Sequence, residues 1–404
     1  MPGYDAGVIV VGGGPAGSVS AALLAERGHR VLLLDKARFP RHKACSEYVN
    51  PAGARLLADL GFERDLDALG AHRMDAMLIH APGGRRFLAD FSAAAPGGTA
   101  IGLSRYRLDA LLLDRARDAG VEIREGTHVR DVVITDGRVQ GVEARIDGGR
   151  VTVRAPLTIG ADGRHGVVSR ALALDVAPRW PQRTGLVAHY RGVTGLDRWG
   201  EMHVVAGGNG YVGLAPLEDG LTNVAFVMNS AAVVARPGAL EAFFEEGLSG
   251  IPEVAAKLAG AERAGAIRGV GPMAHRARRV AGDGFLLVGD AAGFLDPFTG
   301  EGIYEAVRGA TLLAPVADAA LRAGDVSTRA LASYRAARRR AFRAKRQVCW
   351  LVQGFIVTPA LMDYATARLD RRPATARTLA GVLGGLYPAR QALSPLFLAR
   401  LLRP

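Results

Sequence analysis

Val8-Ile9-Val10-Val11-Gly12-Gly13-Gly14-Pro15-Ala16-Gly17 decides how the rest of this chain is read. Four consecutive apolar residues suit a short strand buried on both faces. The glycines that follow match G-x-G-x-x-G at Gly12, Gly14 and Gly17. Good helix formers then run from Ala16 to Arg27, and Gly28 stands where a helix favours a left-handed stop. His29 to Leu34 reads as a second strand, with Asp35 at its end.

Each glycine has a chemical reason. Gly12 permits the tight turn, Gly14 lets a pyrophosphate approach the backbone, and Gly17 lets the helix pack against the strand. The helix N-terminus offers unpaired N–H groups and partial positive charge to phosphate. Asp35, eighteen residues past Gly17, is placed to accept from ribose hydroxyls. Strand, glycines, helix, stop, strand and acid in register predict a dinucleotide site, without choosing between NAD(P) and FAD.

The composition agrees with an ordered protein. Of 404 residues 49% are hydrophobic and 22% charged, which excludes whole-chain disorder. The 52 glycines call for many tight turns. The net charge of +12 comes mostly from arginine; the lysines are Lys36, Lys43, Lys257 and Lys345. No basic stripe is interleaved with aromatics, so nucleic-acid binding is not expected. Cys45 and Cys349 cannot make a disulfide scaffold, which suits a reducing, cytoplasmic setting. The first 26 residues carry no Lys or Arg, so no secretory signal is expected. Val348 to Met362, interrupted by Gln353, is too short for a membrane-spanning helix. No metal ligand set is expected.

Further along, Phe39 to Glu47 is an irregular polar stretch that includes Lys43-Ala44-Cys45. Ser104-Arg105-Tyr106-Arg107-Leu108-Asp109 leads into an amphipathic helix ending near Gly120. Val129–Ile134, Val139–Arg145 and Val151–Ala155 alternate like a small antiparallel unit turning at Asp136-Gly137 and Asp147-Gly148. A second strand-like run, from Thr184 to Met228, turns at Gly207-Gly208 and Asp219-Gly220. It predicts an antiparallel sheet inserted into an α/β framework. Gly284 to Asp290 is again a strand ending in Gly-Asp, and a long helix starts near Ile303.

Three separated motifs resemble those of FAD-dependent monooxygenases with the para-hydroxybenzoate hydroxylase fold, including the geranylgeranyl reductase branch. They are Gly12–Gly17 with Asp35; Gly160-Ala161-Asp162-Gly163; and Gly289-Asp290 followed by Asp296-Pro297 and Gly300-x-Gly302. Arg105 matches an arginine that contacts the cofactor in that family. Thr299-Gly300-Glu301-Gly302-Ile303 and Lys43-Ala44-Cys45 resemble the reductase branch. Two departures stand out. Ser46-Glu47 follows Cys45 in place of the branch's usual Gly. Tyr211-Val212-Gly213-Leu214-Ala215-Pro216 lacks the Trp and Phe of the reductases' Tyr-x-Trp-x-Phe-Pro. There is no Trp-x-Trp-x-Ile-Pro either, which argues against halogenase chemistry.

The resemblance implies an α/β fold: a Rossmann-type FAD-binding domain (1–75, 101–175 and 276–335), an inserted antiparallel-sheet substrate domain (76–100 and 176–275), and a helical C-terminal segment (336–404). It implies FAD contacts from Gly12, Gly14, Ala16, Gly17, Asp35, Lys36, Lys43, Cys45, Arg105, Asp162, Gly163, Gly289, Asp290, Pro297, Gly300, Gly302 and Ile303. Asp290 would bond the ribityl chain, and the helix after Gly302 would aim its positive end at the flavin ring. Asp162-Gly163 and Arg164 would meet pyrophosphate and NAD(P)H. Cys45, Tyr211 and Pro297 are the catalytic candidates.

The expected activity is NAD(P)H-dependent hydroxylation of a hydrophobic or aromatic molecule in secondary metabolism. Double-bond reduction of a prenyl or polyene chain is the alternative. A third class is a non-catalytic prenyl-binding protein on the same fold, which the intact phosphate glycines and Asp290 oppose. Arg335, Arg338, Arg339, Arg340, Arg343, Lys345 and Arg346 precede an apolar stretch, which suits either peripheral membrane contact or a solvated helix; the second weighs more.

Overall fold

Val8–Val11 is wholly buried and lies between two parallel neighbours, Leu157–Gly160 and Val31–Leu34. The computed structural model describes residues 4–146, 148–196, 198–207, 210–236 and 238–403; Asp147 and Gly208, read above as turn residues, lie outside them. The complete sheet runs Ala281–Gly282, Phe285–Leu287, Leu157–Gly160, Val8–Val11, Val31–Leu34, Glu122–Arg124. Only the Ala281–Gly282 pairing is antiparallel. From Val8–Val11 the chain goes to one side first and reaches the other side much later. The crevice at such a reversal, beyond the strand C-termini, is where open α/β sheets bind ligands. Gly12–Gly17 occupies that position.

Pro15–Ala25 leaves this strand end and packs against Arg105–Asp118 and Gly302–Arg322. Pro15 suits the first turn, where its missing N–H is no loss. Gly28 ends the turn beyond this helix at φ +85°. Val8, Val10, Leu24, Leu33, Leu313 and Ala317 share the core between sheet and helices. A three-stranded meander, His128–Thr135, Arg138–Ile146 and Gly149–Arg154, turns at Asp136-Gly137 with both residues at positive φ.

The second large sheet has eight strands. Its path is Glu262–Arg263, Arg183–Arg191, Leu221–Asn229, Gly210–Pro216, Trp199–Val204, Ala76–His80, Arg86–Asp90, with Arg268–Val270 also on Arg183–Arg191. All pairs are antiparallel except Trp199–Val204 with Ala76–His80, which run parallel. The alternation of side chains gives the sheet two faces. Leu186, Ala188, Val212, Val224 and Phe226 pack under Leu240–Ser249 and Pro252–Leu258 on the outer face. Ile79, Phe87, Val204, Tyr211 and Val227 form a core on the inner face with Val348, Ile356 and Met362 of the C-terminal helices. Those helices are Ala332–Ile356, Pro359–Arg371, Pro373–Leu383 and Pro395–Leu402, the last capped by Ser394 Oγ accepting from Phe397 N at 3.2 Å. Among the described residues no single helix is long and apolar enough to cross a membrane.

Candidate functional site

The phosphate cradle is built from backbone. Gly13 N donates to Asp35 Oδ2 at 2.6 Å and Ala37 N to Oδ1 at 2.7 Å. Asp35 therefore clamps the glycine loop to its own strand end, and both its oxygens already accept an amide. A Cβ on Gly17 would lie 1.8 Å from the Gly12 carbonyl oxygen, so only glycine permits this packing. At Gly14 the helix N-cap has no side-chain partner. A Cβ there would meet only Arg105 Nη2 at 3.6 Å and Arg41 Nη2 at 3.8 Å.

Both guanidiniums are held by one fully buried carboxylate. Asp109 accepts from Arg105 Nε at 2.6 Å and Nη2 at 2.7 Å, and lies 2.9 Å from Arg41 Nη1. Two cations on one anion leave about one positive charge beside the helix N-terminus. That donor set fits a pyrophosphate.

The third motif packs onto the same place. Gly289, at φ +62°, would bring a Cβ to 2.8 Å from Ala16 Cβ. Asp290 follows it and acts electrostatically on Lys43 and Arg164. Crowding by protein, and after it Arg105 and Arg41, pull the Lys43 ammonium below its ordinary pKa, with Asp290 opposing. Gly300 stands at φ +65°, where a Cβ would strike the Tyr48 ring at 2.5 Å. Gly302 then opens the Gly302–Arg322 helix, with Ile303 buried in its first turn. The first and third motifs, Lys43 and Arg105 thus share one cleft. Lys36 is exposed beyond the strand end. Asp162 Oδ2 accepts from Val167 N at 2.5 Å and starts the short Val167–Ala171 helix, while Gly163 takes φ +85°. Arg164 Nη1 donates to Pro272 O at 2.8 Å.

Glu47 was not foreseen. It is 1% exposed and sits at φ +56°. Oε1 accepts from Arg105 N at 2.8 Å; Oε2 faces His189 Nε2 at 2.5 Å and accepts from Asn223 Nδ2 at 2.9 Å. Asn223 Nδ2 also donates to Cys45 O at 2.9 Å. Glu47 lies in the conformation that favours glycine, and these bonds offset its backbone cost. The departure from Gly after Cys45 was the available signal. The Cys45 thiol is packed beside Arg105, and burial pushes its pKa up.

On the inner face of the second sheet a polar cluster is wholly buried. Asp296 accepts from Tyr211 Oη at 2.7 Å, from Arg183 Nη1 at 3.1 Å and from Phe298 N at 3.0 Å. Arg183 Nη1 also donates to Gln353 Oε1 at 2.6 Å. Tyr211, a candidate for orienting substrate, therefore spends its hydroxyl on Asp296. The Phe298 ring meets Tyr211 edge-on at 5.0 Å. Tyr48, Met77, Met202, Phe294, Phe298 and Val352 are partly buried and pack against the inner-face core; of these Tyr48 packs on Gly300 and Phe294 on Gly302. Arg183 and Gln353 had no motif to announce them.

The FAD binding domain family matches residues 5–349, and the chain belongs to it. The chain is a FAD-dependent oxidoreductase of the superfamily that includes geranylgeranyl reductases. Digeranylgeranylglycerophospholipid reductase 2 of Methanopyrus kandleri is 32% identical over 81% of this chain and 80% of its own. Sulochrin halogenase of Aspergillus terreus is 28% identical over 79% of this chain and 64% of its own. The crystal structure of CmlS, a flavin-dependent halogenase, superimposes with a TM-score of 0.75 at 29% identity, covering 83% of this chain and 62% of that one.

Proposed function

We propose that the protein uses FAD, reduced by NAD(P)H, to reduce carbon–carbon double bonds in a prenyl or polyene-type hydrophobic molecule. The observation that carries the substrate class is the partly buried apolar set Tyr48, Met77, Met202, Phe294 and Phe298 on the inner-face core, of which Tyr48 packs on Gly300 and Phe294 on Gly302. Polar groups nearby are largely spent on one another, so the surroundings offer contact to hydrocarbon. Similarity above 30% to reductases of lipid-linked prenyl chains and of menaquinone moves the weight from hydroxylation to reduction.

Bound FAD supplies the hydride; the chain's residues do the rest. Arg41, Arg105 and the amides after Gly14 would hold the pyrophosphate. Asp290 would accept from the ribityl hydroxyls. The N-terminus of Gly302–Arg322 would stabilise negative charge on a flavin ring held there, by about 0.3–1 kcal/mol where exposed and up to ~2 where buried. Gly300 and Gly302 would allow close approach of backbone, and Pro297 would bound the space in front of the ring.

Hydroxylation stands as the second reading, because Gly213 and Ala215 replace the reductases' Trp and Phe. The deciding experiment supplies NADPH or NADH and a geranylgeranyl-chain lipid under argon, then under air. A product gaining two hydrogens without oxygen supports reduction. A product gaining one oxygen atom only in air overturns it in favour of hydroxylation.

A further inference from the structure

We infer that His80, Glu201 and His203 form a binding site for a divalent transition-metal ion of the zinc class, remote from the flavin cleft. His80 and His203 are directly paired across the two parallel strands of the second sheet. Glu201, two residues before His203, projects from the same face. This is the outer face, beneath Pro252–Leu258, whereas the cleft lies toward the inner one.

The geometry converges on a single oxygen. Glu201 Oε2 lies 2.9 Å from His203 Nε2 and 3.8 Å from His80 Nε2. The imidazoles stack with centroids 4.0 Å apart and planes 13° from parallel, and the Nε2 of each lies within 3.8 Å of Glu201 Oε2. All three donor atoms lie within 4.8 Å of one another. Donors at ~2.0–2.2 Å around a tetrahedral ion stand roughly 3.3–3.6 Å apart. The observed spacings straddle that value, and turning the two rings out of their stack lets their in-plane lone pairs converge with the carboxylate on one ion.

The second observation is a buried atom with nothing to bond. His80 Nε2 is out of solvent and has no hydrogen-bond partner, although it points at the cluster. A carboxylate bridging two imidazoles would satisfy both; here it satisfies one. A cation between the three donors satisfies all of them.

Two imidazoles and one carboxylate suit zinc, copper, iron or nickel better than magnesium or calcium, which prefer all-oxygen shells. A fourth position stays open to water. The other carboxylate oxygen is fixed from behind: Lys257 Nζ lies 3.1 Å from Glu201 Oε1 and donates to Gly195 O at 3.1 Å. Lys257 orients the ligand, but its charge opposes a cation nearby. The bound ion would staple two strands that meet only through the fold. Ligands at positions 80, 201 and 203 leave no short spacing to see in the sequence.

The test uses the full-length, tag-free flavoprotein, stripped with a chelator and titrated with Zn²⁺ against a chromophoric competitor, and with Co²⁺ by its visible bands. One ion per chain is expected. His80→Ala and Glu201→Gln should weaken binding by about tenfold or more, with flavin content unchanged, and Lys257→Met should tighten it. Should Glu201→Gln misfold, His80→Ala decides, since that ligand lies at the edge of the site. Failure to saturate at one ion per chain, or affinity unaltered in His80→Ala, overturns the site and leaves the flavin assignment untouched.

Discussion

Gln353 accepts a hydrogen bond from Arg183 at 2.6 Å, joining the last turn of the long Ala332–Ile356 helix to the first residue of a strand in the second sheet. Both residues are almost fully buried. Removing one partner strands the other, at about 1–3 kcal/mol. Gln353→Leu should therefore lower the melting temperature, and Arg183→Met should cost less in that background than alone. A double-mutant cycle by thermal unfolding checks this; additivity would deny the coupling.

Gly17 and Gly14 should differ sharply. Gly17→Ala forces a carbon into the Gly12 carbonyl, whereas Gly14→Ala meets only the ends of two flexible arginines. Flavin absorbance per chain should be nearly lost in the first and partly kept in the second.

Arg105 grips Asp109 through two nitrogens, which a lysine cannot reproduce. Arg105→Lys should weaken FAD binding by about tenfold or more, given ~1.5–3 kcal/mol for a hydrogen bond to a charged group. Fluorescence titration of apoprotein with FAD measures it. Asp109→Asn should destabilise by about 3–5 kcal/mol, since both guanidiniums lose their anion.

Burial, and after it Glu305, pushes the Glu301 carboxyl up to about 7 from 4.5, with Lys345 opposing. The folded state holds this proton more tightly than the unfolded chain does. Its contribution to stability is full below about pH 4.5 and is lost as the pH rises through about 7. Glu301→Gln should flatten that part of the stability profile, as followed by urea unfolding across this range.

Both thiols should resist alkylation in the native protein. Burial raises Cys45, and pushes Cys349 up to about 12. Iodoacetamide at pH 8 should label neither at the rate of a free thiol, and both after denaturation, by mass spectrometry.

Much of the fold was legible because local rules and global placement agree over the first forty residues. The strand Val8–Val11, its glycines and the stop at Gly28 each follow from short-range sterics. The inserted sheet was legible as alternation and the resemblance assigned 76–100 to it, but the parallel pairing of Ala76–His80 with Trp199–Val204 was not, since it leaves no turn to mark it. In the site, the residues with a backbone task were visible as glycines. Glu47, Arg183 and Gln353 were not, because a buried polar group is defined by partners 58 to 176 residues away. Tyr211 and Asp296 were noticed separately; only the fold makes them a pair. Asp162 illustrates the reverse: a motif residue whose carboxylate starts a local helix.

That parallel pairing also governs how the chain can be made and divided. The 76–90 hairpin leaves the ribosome more than a hundred residues before the strand it must join, and two strands of the first sheet, Glu122–Arg124 and Leu157–Gly160, are made in between. High contact order of this kind slows folding and leaves an edge open meanwhile. Genetic excision of either lobe would cut through the other, so these two lobes have to be inherited, expressed and engineered as one piece.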